Sequence, residues 1–144
     1  MSFTVILDLN GVIGTLSRSK KSLKPFPGFQ QFFDRLRDNP RIGQILVWTS
    51  TKLENIRSLV DTNALIQQFD GVLTQADCGP ETEQFEHTKP VERIPPQYNV
   101  HAERCIIVDD SIAKVNMNRH YIVVQSPPTY ATLYDQITAL IDVE

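Results

Sequence analysis

The chain lacks any long apolar run. No stretch approaches the roughly 18 consecutive apolar residues that a membrane-spanning helix needs. Its opening residues already read as a strand, with no basic segment leading into an apolar core, so no secretory leader is expected. Cysteine is scarce: Cys78 and Cys105 lie far apart with no CxxC pattern. Cys105 sits inside an apolar run and reads as a buried thiol in a reducing compartment. There is no basic excess either, since a net charge of -3 gives no global pull toward nucleic acid or anionic lipid. Repeats and low-complexity tracts are also missing. These absences point to a soluble, intracellular, cytoplasmic protein. What remains is 144 residues with an ordinary hydrophobic fraction of 41%. That is expected to form a single domain over 1–144 with one core, and nine prolines argue for many loops.

Short apolar runs alternate with helical periods. Phe3 to Leu7 reads as a strand, as do Ile45 to Trp48, Val72-Leu73, Cys105 to Val108 and Tyr121 to Val124. Phe29, Phe32, Phe33 and Leu36 recur at helical spacing, entered after Pro27-Gly28 and stopped by Asn39-Pro40. Leu53, Ile56, Leu59 and Val60 mark a second helix, with Thr51 as the expected N-cap. Tyr130 to Ile141 forms a third, with Leu133, Ile137, Leu140 and Ile141 on one face. This alternation predicts a parallel sheet wrapped on both faces. Residues 77–101 read as a proline-rich loop region with one helical turn near Val91 to Ile94. Residues 14–26 (GTLSRSKKSLKPF) read as a polar loop that is either a solvated surface segment or a cationic flap, carrying Arg18, Lys20, Lys21 and Lys24.

The chemistry collects at strand ends. An apolar run that stops at Asp8 delivers a carboxylate to the sheet edge where open α/β sheets bind ligands. The strand ending at Trp48 is followed by Thr49-Ser50, and the one ending at Val108 by Asp109-Asp110-Ser111. Lys89 precedes the latter. In a parallel sheet Asp8, Thr49 and Asp109-Asp110 all emerge at the carboxyl edge. One carboxylate can attack phosphorus, an acidic pair can help hold Mg²⁺, and hydroxyls and a lysine can bind phosphoryl oxygens. Each signal has a bland alternative, such as a helix cap, a turn residue or a surface lysine. Adjacent carboxylates after a buried strand are the strongest of them, because they repel without a cation.

In this order the set resembles the haloacid dehalogenase (HAD) superfamily of Mg²⁺-dependent phosphotransferases, from Val5 to about Val124. Its motifs match Asp8-Leu9-Asn10-Gly11-Val12, Thr49 after ILVW, Lys89 in HTKP, and Asp109-Asp110 after CIIV. Within it the chain is most similar to small CTD phosphatases of the NLI-interacting-factor type. VWTSTKLENIRSLVD, FDGVLTQADC, a lysine and IIVDDS follow that layout. That group usually has an acidic residue and a threonine where this chain has Gly11 and Val12. The resemblance implies a HAD-like Rossmannoid three-layer α/β/α fold with a central parallel sheet. Asp8 would be the nucleophile that becomes phosphoaspartate, and also a metal ligand. Asn10 would bind Mg²⁺ through its backbone carbonyl, and Asp110 would be a further ligand with Asp109 beside it. Thr49, with Ser50 next to it, and Lys89 would hold the phosphoryl group. Lys114 stands where many members carry an acidic or amide residue, and would satisfy Asp109 or Asp110 by charge.

Asn10 departs from the superfamily, whose phosphatases use an aspartate there to protonate the leaving oxygen and then to activate water. A carboxamide cannot shuttle a proton at neutral pH, and such groups contribute about 10² to 10⁴ in rate. The implied function is a Mg²⁺-dependent phosphoric monoester hydrolase of low activity. A degenerate phospho-ligand binding module and a phosphotransferase with a long-lived phosphoaspartate are the alternatives. Both intervals where relatives insert a cap domain are short here, so a capless, open site is expected. Open sites suit large phosphorylated partners, a phosphoprotein segment or a nucleic-acid end.

Overall fold

The computed structural model describes residues 2–79, 87–111 and 121–143. Among these, the elements run β1 (Phe3–Leu7), β2 (Gly14–Leu16), β3 (Leu23–Pro25), α1 (Phe29–Asp38), β4 (Ile42–Trp48), α2 (Leu53–Thr62), β5 (Gly71–Leu73), β6 (Cys105–Asp109), β7 (Tyr121–Val123) and α3 (Tyr130–Asp142). Five strands form one sheet in the order β5-β4-β1-β6-β7. Every pairing in it is parallel. From β1 the chain winds outward through β4 and β5, then returns to build β6 and β7 on the other side. The winding direction therefore reverses at β1, and the crevice outside the carboxyl ends of β1 and β6 is where such a sheet accepts a ligand.

All five residues of β1 are buried, as a central strand covered on both faces requires. Its side chains alternate between two cores. Phe3, Val5 and Leu7 join Ile45, Val47, Ile106 and Val108 against the buried stripes of α1, α2 and α3. Those stripes are the predicted ones: Phe29, Phe32, Phe33 and Leu36 from α1, Ile56 and Leu59 from α2, and Leu133, Ile137 and Ile141 from α3. Ile6, Leu46, Trp48, Leu73 and Ile107 face the other way, packed with Cys78, Val91 and Ile94. Trp48 is fully buried there, and truncating such a side chain to alanine costs about 3–5 kcal/mol.

The second face draws its cover from the proline-rich region rather than from an α-helix, among the described residues. Single 3₁₀ turns at Val91–Arg93 and Pro96–Tyr98 lay Val91, Ile94, Tyr98 and Val100 against the sheet. Residues 80–86 of that region and Lys114 lie outside the described residues.

Three local expectations are revised. β4 starts at Ile42, not Ile45, because the polar pair Gly43-Gln44 extends the ladder to β1. Gln44 Nε2 spends its hydrogens on Thr4 Oγ1 and the Tyr98 carbonyl. Thr51 is not the N-cap of α2: Lys52 occupies that position without a side-chain cap, and the Thr51 amide donates to Thr49 Oγ1 at 3.1 Å. Residues 14–26 are not simply a loop, since β2 and β3 pair antiparallel through Gly14↔Pro25, Thr15↔Lys24 and Leu16↔Leu23. No cap domain stands over the sheet edge among the described residues, and no helix there is long and apolar enough to cross a membrane.

Candidate active site

The ladders continue one residue past the strands and so fix the side chains that follow. The Asp8 amide donates to the Val108 carbonyl at 2.9 Å, and the Thr49 amide donates to Leu73 at 2.9 Å. Asp109 is the last residue of β6, and its carbonyl accepts the Val124 amide at 2.9 Å. Asp8, Thr49 and Asp109 thus emerge side by side at the carboxyl edge, all buried.

Lys89 joins them from the proline-rich region. It has no exposed surface. Its Nζ lies 2.9 Å from Asp8 Oδ1 and makes a second ion pair with Asp109 Oδ2. Burial alone would drive the ammonium toward neutrality. The carboxylates of Asp8 and then Asp109 outweigh it, leaving the Lys89 pKa above its ordinary value. The strap carrying it is tied back by a bond from the Gly79 amide to the Thr88 carbonyl at 2.8 Å. The other oxygen of Asp109 accepts the Ser111 amide at 3.0 Å.

In front of these groups opens a cavity of about 380 Å³. Asp8, Asn10, Thr49, Ser50, Asp110 and the flap residues Arg18 and Lys20 all line it. Lys21, Lys24, Lys89 and Asp109 do not. The eleven singled-out positions at the sheet edge and the flap therefore divide. Asp8, Asn10, Thr49, Ser50 and Asp110 reach the cavity directly, Lys89 and Asp109 brace Asp8 from the buried side, and only half of the flap's cations face inward. Asp8, Asp109 and Asp110 each bring a carboxylate oxygen within 4.8 Å of the others. An all-oxygen donor set of this kind fits a hard divalent cation.

Over residues 3–136 the sequence matches the model of the NLI interacting factor-like phosphatase family. The chain belongs to this family. No curated protein matches it in sequence. Among solved structures, Fcp1, an essential RNA polymerase II CTD phosphatase, superposes with a TM-score of 0.59 at 15% identity, covering 97% of this chain and 49% of that one. A variant of fission yeast Fcp1 bound to beryllium fluoride gives 0.57 at 13% identity, covering 97% and 51%. The core domain of a Streptococcus pneumoniae TIGR4 protein assigned as a phosphoglycolate phosphatase gives 0.57 at 12% identity, covering 100% and 98%. At these identities the likeness shows a shared HAD-like α/β fold. The chain spans about half the length of the two Fcp1 chains.

Three residues of this NLI interacting factor-like phosphatase domain escape sequence reasoning. Gly11 has φ +97°, and a Cβ there would sit 2.1 Å from Asp110 Oδ2. A side chain at this place would have to adopt a left-handed backbone and push the Asp110 carboxylate aside, so glycine suits the turn as it stands. Gly14 lets the hairpin close, because a Cβ would lie 2.3 Å from the Lys24 carbonyl oxygen. Tyr130, read only as a helix residue, donates its hydroxyl to the Val12 carbonyl at 2.6 Å and so ties the loop after Asp8 to α3. The signal for Gly11 and Gly14 was present as two glycines flanking an apolar pair. Nothing near Tyr130 in sequence pointed to Val12.

Proposed function

We propose that this domain is a phosphomonoesterase that works through Asp8. The observation that carries the reading is the buried Asp8 carboxylate, held 2.9 Å from Lys89 and opening onto a cavity rimmed by Thr49, Ser50 and Asp110. Lys89 offsets the negative charge of Asp8 in a buried site, where an unpaired carboxylate would be costly. It also orients the carboxylate that is to attack phosphorus. The Asp8–phosphorus bond forms as the ester oxygen leaves with its electron pair. Water then attacks the same phosphorus, breaking the bond to Asp8 and releasing phosphate. Thr49 accepts the Thr51 amide on its hydroxyl oxygen and would donate its hydroxyl hydrogen toward a phosphoryl oxygen.

Asp8, Asp110 and the Asn10 carbonyl would hold Mg²⁺, with Asp109 adjoining. Bound there, the ion would offset the charge of an incoming phosphoryl group. Asp109 serves chiefly to seat Lys89, as both its oxygens already have protein partners.

Asn10 supports a slow second step. Its Oδ1 accepts the Leu16 amide at 3.0 Å, so the part of the carboxamide left to the cavity is a donor-only amide group. It can hydrogen-bond to an oxygen but cannot take a proton from water. This favours substrates with good leaving groups and a phosphoaspartate that outlives those of relatives with an aspartate there, which keeps the phosphotransferase reading open.

The test is hydrolysis of an aryl phosphate with and without Mg²⁺, in the wild-type chain and in Asp8→Asn. Mg²⁺-dependent turnover that disappears in the variant is expected. Equal rates in both proteins would overturn the reading.

A further inference from the structure

We propose that Arg18 and Lys20 form a second anion subsite above Asp8, which selects phosphopeptides carrying another negative charge beside the phosphorylated residue. The proposal rests on the phosphatase reading of the cavity and names its substrate class.

Both cations line the cavity that holds Asp8 and Asp110, but they come from a separate element, the tip between β2 and β3. The tip is an internally bonded turn. The Ser17 amide donates to Ser22 at 3.0 Å, the Lys20 amide to Ser17 at 2.9 Å, and the Ser22 amide to Ser17 Oγ at 3.2 Å. Lys20 sits in it at φ 59°, the left-handed region that a glycine or asparagine would occupy with less strain. A lysine retained in that conformation and half-buried against the cavity is consistent with a positional demand on its side chain. Among the described residues neither Arg18 nor Lys20 is paired with a carboxylate.

In the proposed reaction the scissile phosphoryl group meets Thr49 and Ser50 at the strand edge, beside Asp8. The flap cations stand at the rim instead, and Arg18 is exposed. They are therefore placed for a group next to the phosphate rather than for the phosphate itself. Two cations suit one additional anion. A polynucleotide would call for a longer basic track and aromatic platforms, and among the described residues no aromatic ring lines this cavity. The second anion is thus a carboxylate or a second phosphate on a peptide.

The experiment compares three phosphoserine peptides, flanked by neutral residues, by glutamate or by a second phosphoserine. Hydrolysis is followed in the wild-type chain, and binding is followed by fluorescence anisotropy in Asp8→Asn, where no turnover is needed. The anionic peptides should be preferred over the neutral one by about fivefold to tenfold, the range that two exposed charge pairs supply. The glutamate and diphosphorylated arms separate the two sources of charge. In R18A/K20A the ratio should fall to about one, and in R18E/K20E it should drop below one, an inversion that a loosened hairpin alone would not produce. Preference in binding without hydrolysis would retain the subsite and remove the phosphatase reading. Hydrolysis without preference would do the reverse. Equal ratios in wild type and R18A/K20A, no binding of any peptide, or equal competition by a 5′-phosphorylated oligonucleotide would overturn the subsite.

Discussion

The side-chain oxygen of Asn10 lies 3.0 Å from the Leu16 amide nitrogen and so fastens the β2–β3 hairpin to the loop that carries Asp8. The same loop is bonded to the hairpin through the Gly11 amide and the Gly14 carbonyl at 2.8 Å. Position 10 therefore has two duties, anchoring the flap and facing the cavity, and a carboxamide fulfils only the first completely.

Asn10→Asp should keep the anchor, because a carboxylate accepts the Leu16 amide equally well, and should restore a titratable oxygen. Hydrolysis of an alkyl phosphate is expected to rise by roughly 10² or more. The rise should be smaller for an aryl phosphate, whose leaving group needs less protonation. Steady-state kinetics with both substrates check this, and unchanged rates would mean that proton transfer does not limit this chain.

Gly11→Ala should damage the site more than its size suggests. The backbone conformation costs a non-glycine residue about 1–2 kcal/mol, and the new methyl must displace the Asp110 carboxylate, which stands 2.1 Å from where it would be. A lowered melting temperature with a weakened Mg²⁺ requirement or affinity is expected, measured by thermal denaturation across a Mg²⁺ titration.

Lys89→Met leaves the carboxylates of Asp8 and Asp109 without the buried ammonium between them. Removing one partner from such a buried set costs about 3–5 kcal/mol, readable by urea denaturation. In the wild-type chain the raised Lys89 pKa has a definite sign. The group binds its proton more tightly folded than unfolded, so its contribution is fully present below its ordinary value of 10.5 and is lost as pH rises through the higher folded value. Melting curves should therefore show no loss from this group until strongly alkaline pH.

Cys105 is buried in β6, and burial pushes its thiol up to about 12. The thiolate needed for alkylation is then scarce at neutral pH. Iodoacetamide should leave Cys105 unmodified in the native protein and label it only at the rate of unfolding, as followed by peptide mass spectrometry. Because the folded pKa is raised above the unfolded one, this group's contribution persists below about 9 and falls as pH climbs toward 12.

The fold and the strand-end residues were legible because both are written locally. A continuous apolar run defines β1 and apolar residues at period 3.6 define α1 and α3, and a parallel sheet then brings Asp8, Thr49 and Asp109 to one edge whatever lies between. The hairpin was not legible, since its strands are three residues long, carry one glycine and one proline, and are held largely by the Asn10 side chain and the Gly11, Ile13 and Ser17 backbone. The division of labour between the paired acids was also hidden. Adjacent side chains on an extended segment point opposite ways, so Asp109 turns to Lys89 and Asp110 to the cavity, and only the three-dimensional arrangement tells which is which.

Incubation with an aryl phosphate and Mg²⁺, followed by mass spectrometry of the peptide that carries Asp8, examines the proposed chemistry at its reacting atom. With Asn10 in place the second step is slow, so phosphate should accumulate on Asp8 in the wild-type chain and be absent from Asp8→Asn. Turnover of the aryl phosphate with no phosphate ever found on Asp8, undiminished in Asp8→Asn, would contradict the account.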